Sequence, residues 1–312
     1  MDGAIDAAMR AWLGERFGRR VRFAEPLSRH TSFRIGGPAD ALVEVATPAE
    51  IAELQRTARA RGIPIAVLGI GTNVLVADRG VRGVVVKLGR ALGAFEWTGS
   101  DHGWHVRAGA AAPFKKLVRA AAARGLTGLE FAEGIPGSIG GGLLMNAGAF
   151  GGEISHCVTG ICVVDAAGER ALPRTALRFG YRRFDLPADS IVTRVDFALS
   201  PGAPEAIRAA MADAKRKRDG RQPRGLPNAG SVFKNPPGEF AGRLIEAAGL
   251  KGRRVGDAMI SPQHANFIVN VGAATAADVK RLMDEVAATV WRARAIRLVP
   301  EIKLVGDWEA RG

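Results

Sequence analysis

The sequence predicts an α+β chain in which two lobes precede a smaller third domain, and three observations carry that expectation. Strand-like and helix-like runs alternate as β-α-β across residues 1–90. A second block, residues 91–200, is mostly strand-like and holds "EFAEGIPGSIGGGLLMNAGAFGGE", Glu130 to Glu153, which crowds eight glycines among large apolar side chains. Pro201, Gly202 and Pro204 then punctuate the chain before mixed helices and short strands that run to residue 312.

The elements follow in order. The start, "MDGAIDAAMRAWLGERFG", spaces its apolar residues as an amphipathic helix and carries acids at Asp2 and Asp6. That pattern is unlike a secretory signal, so the expected compartment is the cytoplasm. "ALVEVA" is a strand, Thr47 caps and Pro48 opens a helix, and "IPIAVLG" and "GVVVKLG" are strands again. The second lobe begins with the strand "WHVRAGA", a helix over Phe114 to Arg124, the glycine stretch, a strand "ISHCVTGICVVDAAGE" and another, "SIVTRVDFALS". Beyond the punctuation come a helix from Pro204 to Asp219, the loop "GRQPRGLPNAGSVFKNPPG", a short helix through Leu244 and Ile245, and strands around "VGDAMIS" and "NFIVNVG". A longer helix opens at Thr275 with Asp278 in capping-box position and aligns Val279, Leu282, Met283, Val286 and Val290 as a core stripe. The strand "RLVPEIKLVG" closes the chain, its alternation setting Glu301 and Lys303 opposite Pro300, Ile302 and Leu304.

Composition narrows the function classes. With 47% hydrophobic and 24% charged residues the chain is globular, and Gly, Pro and Asn break the uncharged windows too often for a membrane span. The net charge of +13 invites a nucleic-acid reading, but 6% aromatic residues offer few stacking platforms and no helix-turn-helix or RNA-binding signature occurs, so no nucleic-acid partner is expected. Cys157 and Cys162, an odd number of residues apart in one apparent strand, point to opposite faces and do not pair; no ligand cluster suggests a metal.

Glycine leaves no Cβ between the main chain and whatever approaches it, so the Glu130–Glu153 stretch reads as a ligand cradle rather than a linker. A second glycine turn, "VLGIGTNVLVAD", lacks the helix that a dinucleotide fingerprint needs directly after its glycines. Two glycine turns in separate lobes could instead grip a pyrophosphate from both sides.

Seven strings carry a resemblance: "TSFRIGGPAD", "LGIGTNVLVAD", "GIPGSIGGGLLMNAGAFGGE", "FGYR", "NAGSVFKNP", "SPQHANFIVN" and "VPEIKL", in this order over nearly the whole chain. With them the chain resembles the UDP-N-acetylenolpyruvoylglucosamine reductase family. The resemblance implies a two-lobed FAD-binding domain of the vanillyl-alcohol-oxidase type over residues 1–200, followed by a substrate-binding domain over 201–312. It implies noncovalent FAD, since "GIGTN" holds no histidine, with NADPH and a UDP-sugar as the other reactants and peptidoglycan precursor synthesis as the setting; an oligomeric partner is left open. It assigns Arg34, Gly69, Gly71, Thr72, Asn73, Gly137, Ser138, Gly140 and Gly141 to the cofactor. Arg182 would hold the substrate carboxylate in two hydrogen bonds, Ser231 would donate a proton to carbon, and Glu301 would orient Ser231 or share its proton. Tyr181, Lys234, Asn235, His264 and Asn266 are expected at the substrate, and the run Lys215 to Arg224 is a further diphosphate candidate, although Lys215, Arg216 and Lys217 read more readily as a solvated helix end.

Two departures qualify this. Many members of the family carry a serine soon after the Tyr-Arg pair, where this chain runs "YRRFDLPADS", and no long insertion lies between Arg182 and Ser190. The resemblance is therefore to a shorter class with a more open pocket. An oxidase on the same scaffold would explain the glycine turns but not the pairing of "NAGSVFKNP" with "PEIKL".

Overall fold

A computed structural model describes residues 5–100, 103–223 and 225–308; Asp2 and Arg224 lie outside them. The first lobe opens with helix α1 (Ala7–Phe17), N-capped by Asp6. Strands β1 (Val21–Pro26) and β2 (Pro38–Val45) lead into helix α2 (Pro48–Ala60), where the Thr47 side chain accepts from the Glu50 amide. Strands β3 (Ile65–Val67), β4 (Val74–Val76) and β5 (Val81–Leu88) follow. The sheet runs β1-β2-β5-β3, with β5 parallel to both β2 and β3. A strand parallel to both neighbours is covered on both faces, which accounts for the unbroken "VVV" of β5.

The second lobe is antiparallel. Strands 168–173, 158–165, 191–201, 103–109 and 95–100 lie side by side in that order. Helix α3 (Phe114–Ala122) and the short helix α4 (Ile139–Leu144) close a core of Phe114, Leu117, Leu143, Val195 and Phe197. Helix α5 (Pro204–Asp219) returns across this lobe and packs on α3 and on the turn Glu130–Ala132.

The third sheet joins strands 228–231, 267–270, 258–260 and 254–255, backed by α6 (Ala241–Ala247) and α7 (Ala276–Arg294). The capping box at Thr275 and Asp278 is present and the predicted stripe on α7 is buried. This region is bound tightly to the first lobe. Phe33, Ile35 and Leu75 enter its core, and Asp78 accepts from the Ala276 and Ala277 amides at 2.7 and 2.9 Å. Strand Lys303–Val305 pairs in parallel with β4.

Two expectations change. Cys157 precedes its strand, capping a single helical turn, while Cys162 lies within it; both are free and buried. The closing strand is only Lys303–Val305: Pro300 makes one isolated bridge to Phe233, and Ile302 is buried while Pro300 and Leu304 are exposed. Proline has no amide proton for a ladder, so the alternation expected from "VPEIKLV" is interrupted at Pro300. Among the described residues no helix is long and apolar enough to cross a membrane, and no cluster of three or more His, Cys, Asp or Glu is placed to hold a metal ion.

Candidate active site

A cavity of about 430 Å³ opens between the two lobes, and both glycine turns line it. The turns touch. A Cβ on Gly69 would stand 2.9 Å from Ser138 Oγ, and one on Gly137 would stand 3.2 Å from Thr72 Oγ1. A side chain at either point would have to displace the hydroxyl it meets.

The turns differ in what their amides do. Among the described residues, the N–H groups of Gly69, Ile70, Gly71, Thr72 and Asn73 donate to nothing in the protein. Consecutive free donors of this kind form an anion-binding concavity. In the second turn the Ser138 side chain caps α4 by accepting from Gly141 N at 3.2 Å, and Gly140 N donates to Ala110 O at 3.0 Å. The expectation that Gly140 and Gly141 offer bare amides is therefore corrected: a six-residue helix has formed there and its first amides are taken. These glycines serve by thinness, since a Cβ on Gly140 would stand 3.0 Å from that of Ala110.

Gly71 is required by the chain itself. Its φ is +77°, and a Cβ there would lie 2.1 Å from the carbonyl oxygen of His30. Asn73 turns away from the turn's free amides: its Nδ2 donates to Met145 Sδ at 3.2 Å and to Glu301 O at 3.3 Å, so one side chain touches the second lobe and the closing segment. Arg34, expected at the cofactor, is exposed, holds a left-handed φ of 57° and is not among the side chains that line the cavity. Arg29, His30 and Lys87 line it instead. The available signal for Lys87 was a charge closing the apolar run "VVV" of β5.

A free-amide turn, apolar walls and basic side chains suit a long ligand that is part planar and part anionic. FAD has that character, and the residues present fit it.

The second cluster joins the second lobe to the third region. Phe179–Gly180 and Arg183–Phe184 form a short hairpin with Arg182 at its turn, φ 54°. Buried Asn146 donates to Gly180 O at 3.1 Å and so holds the hairpin against the glycine stretch. Arg182 Nε stands 3.1 Å from Glu301 Oε1, an ion pair whose alignment falls short of a hydrogen bond. Burial raises the Glu301 pKa above its ordinary value, although Arg182 and Lys234 pull the other way. The Tyr181 ring is half exposed, 5.4 Å from the Arg182 guanidinium.

Ser231 ends strand 228–231 and pairs with Phe267. The next carbonyl, of Val232, accepts from Glu301 N at 2.7 Å, and Lys234 N donates to Val299 O. Main-chain bonds thus bring Ser231, Lys234 and Glu301 together, with Arg182 reaching in from the other lobe. Asn266 is buried and serves the framework here: both ends of its amide bind the Phe233 backbone, at 3.0 and 2.8 Å. His264 Nδ1 accepts from Asn266 N, and burial lowers the pKa of its ring. Asn235 Oδ1 accepts from Ala241 N at the start of α6.

Within the basic run, Lys215, Arg216 and Lys217 are exposed and paired with Asp213 or Asp219, the solvated reading. Arg218 differs. Its Nε donates to Glu133 O at 3.3 Å, its Nη2 is buried without a partner, and burial together with the charge of Arg182 lowers its pKa. The sequence includes it in the candidate run Lys215 to Arg224, but nothing in "KRKR" singles it out from its neighbours.

Comparison with known proteins agrees with this arrangement. Residues 222–305 match the model of the UDP-N-acetylenolpyruvoylglucosamine reductase C-terminal domain, and residues 39–171 match that of an FAD binding domain. UDP-N-acetylenolpyruvoylglucosamine reductase 2 of Symbiobacterium thermophilum is 51% identical over 92% of each chain. The reductase of Anaeromyxobacter sp. (strain Fw109-5) is 44% identical over 99% of this chain and 96% of its own. The crystal structure of the UDP-N-acetylenolpyruvylglucosamine reductase from Thermus caldophilus superposes with a TM-score of 0.79 at 39% identity, covering 90% of this chain and 97% of that one. The chain therefore belongs to the UDP-N-acetylenolpyruvoylglucosamine reductase family, with an FAD binding domain matched over residues 39–171 and the family's C-terminal domain over residues 222–305.

Proposed function

We propose that this protein reduces the enolpyruvyl group of UDP-N-acetylglucosamine-enolpyruvate to give UDP-N-acetylmuramate, with noncovalent FAD and with NADPH as the reductant, in the cytoplasm. The observation that carries the reading is the meeting of Arg182 with Glu301, 3.1 Å apart, beside the main-chain-fixed Ser231. FAD, held at the free amides of the first glycine turn, would supply the hydride chemistry at the substrate's terminal vinyl carbon.

Negative character then grows on the carbon beside the substrate carboxylate. The Arg182 fork suits that carboxylate and draws charge onto its oxygens. Ser231 Oγ, free of any hydrogen bond among the described residues, is available to protonate the adjacent carbon. A hydroxyl is a weak acid, but held at contact distance it can quench a strong base. Glu301, its pKa raised by burial, can replace the proton that Ser231 gives up. Lys234 and Arg218 bring positive charge to the same cleft for the nucleotide phosphates. We place the domain division near residue 200, with residues 201–312 covering substrate and α5 acting as a strut across the second lobe.

The test is spectroscopic. The purified protein is expected to be yellow, to bleach on adding NADPH, and to regain colour with the enolpyruvyl nucleotide faster than with oxygen. A protein that stays colourless with excess FAD, or recovers only with oxygen, overturns the proposal.

A further inference from the structure

One polar chain in the cavity wall takes no part in the chemistry above. Glu25 Oε1 stands 2.9 Å from His30 Nε2, and Lys87 Nζ stands 3.3 Å from His30 Nδ1. A lysine ammonium only donates, so Nδ1 accepts and the imidazole proton sits on Nε2, directed at Glu25. In that tautomer the ring links the carboxylate to the cation through two hydrogen bonds.

His30 and Lys87 both line the cavity. Glu44 on β2, in register with Lys87, and Arg22 on β1 are the other charges near it; they oppose one another, and no carboxylate forms an ion pair with Lys87 among the described residues. Burial lowers the Lys87 pKa below the ordinary lysine value, so this charge is incompletely compensated by the protein. The His30 carbonyl lies against Gly71, in the turn whose amides are free. Cation and free donors therefore stand at the same end of the cavity.

We propose that Lys87, positioned by His30 and Glu25, is the cation that receives the diphosphate of the dinucleotide cofactor, an anion seat completed by the free amides of Gly69 to Asn73. The proposal rests on the FAD reading above. It gives the cofactor role expected of Arg34 to a residue that reaches the cavity, and makes His30 and Glu25 positioning residues.

The test is FAD affinity of the cofactor-stripped protein, followed by fluorescence quenching at low and high salt, for wild type, Lys87→Met, Lys87→Gln and Lys87→Arg. A hydrogen bond to a charged group corresponds to a roughly ten- to hundredfold change in Kd. Lys87→Met and Lys87→Gln are expected to weaken FAD by that factor, Lys87→Arg by no more than about threefold, and high salt to narrow the gap to wild type. Thermal unfolding of each stripped protein checks that the fold is kept, and Lys87→Gln serves should Lys87→Met not fold. Unchanged FAD affinity in Lys87→Gln, or equal weakening in Lys87→Gln and Lys87→Arg, overturns the proposal. Failure of the wild-type chain to bind FAD overturns the cofactor reading and this proposal with it.

Discussion

Gly71→Ala separates two reasons for a glycine. If bare backbone is needed only so that phosphate can approach, alanine should hurt cofactor binding and leave the empty protein nearly intact. The geometry says otherwise, because the added Cβ would lie 2.1 Å from His30 O with no ligand present. A left-handed backbone costs an alanine about 1–2 kcal/mol. Relieving the clash must also move the Gly71 carbonyl, which accepts from Ser32 N at 2.9 Å and Ser32 Oγ at 3.2 Å. Each such bond contributes about 0.5–1.5 kcal/mol. The sum is about 3 kcal/mol. Gly69→Ala is the control: its Cβ meets only Ser138 Oγ at 2.9 Å, and turning that side chain away loses one helix cap, about 1 kcal/mol. Urea unfolding of the cofactor-stripped proteins compares the two. The reasoning fails if Gly71→Ala is no less stable than Gly69→Ala.

Three other outcomes are expected. Glu50 receives both arms of Arg20 at 2.7 Å, and the Arg20 bond is the main cause that pushes its pKa down to about 2 from 4.5. A carboxyl whose folded-state pKa is depressed stabilises the fold above its unfolded value and loses that contribution as pH falls toward the folded one. With Arg20 a third exposed and the pair partly screened, Glu50→Gln should cost about 2 kcal/mol at pH 7, the gap to wild type closing between about pH 4.5 and pH 2 in urea titrations. Ser231→Ala should leave flavin reduction by NADPH nearly intact and slow reoxidation by the enolpyruvyl nucleotide by about a hundred- to ten-thousandfold in stopped-flow traces; equal loss in both halves would make it a fold residue. Arg182→Lys should lower kcat well beyond any change in nucleotide affinity, because an ammonium lacks the two-point grip; an unaltered rate would dismiss that role.

The fold was legible wherever one local signal decided it. Thr47-Pro48 and Thr275 with Asp278 set the starts of α2 and α7, since a cap is a short-range contact between neighbours in sequence. Short-range signals misled where a distant partner intervened. "VPEIKLV" reads as one strand, but β4 pairs only with Lys303–Val305 and Pro300 interrupts what precedes it. Ser138 and its glycines read as an amide cradle, but Ala110 and Ala112 in the strand-to-helix turn before α3 take the Gly140 and Ile139 amides. Lys87 carried only the weak signal of a charge closing an apolar run, and Arg218 stood unseparated within its basic run, because each becomes distinct through burial: Lys87 against His30, and Arg218 near Arg182 and Glu133.

The catalytic candidates could be named from motifs, but their mutual placement depends on contacts no motif contains. Glu301 is fixed at both ends of its main chain, its amide on Val232 O and its carbonyl receiving Asn73 Nδ2, while Lys303 N returns to Asn73 O. Three anchors hold the backbone beside Ser231 and leave only the side chain to respond. That side chain now faces Arg182, a residue of the other lobe whose alignment with it is imperfect. A carboxylate arriving with substrate offers the Arg182 fork a better-shaped partner than Glu301 does. Once Arg182 turns to it, Glu301 keeps only Lys234 of the two charges that oppose its burial, which favours the protonated form. Proton supply to Ser231 would then follow from substrate binding itself, without any movement of the backbone that carries Glu301.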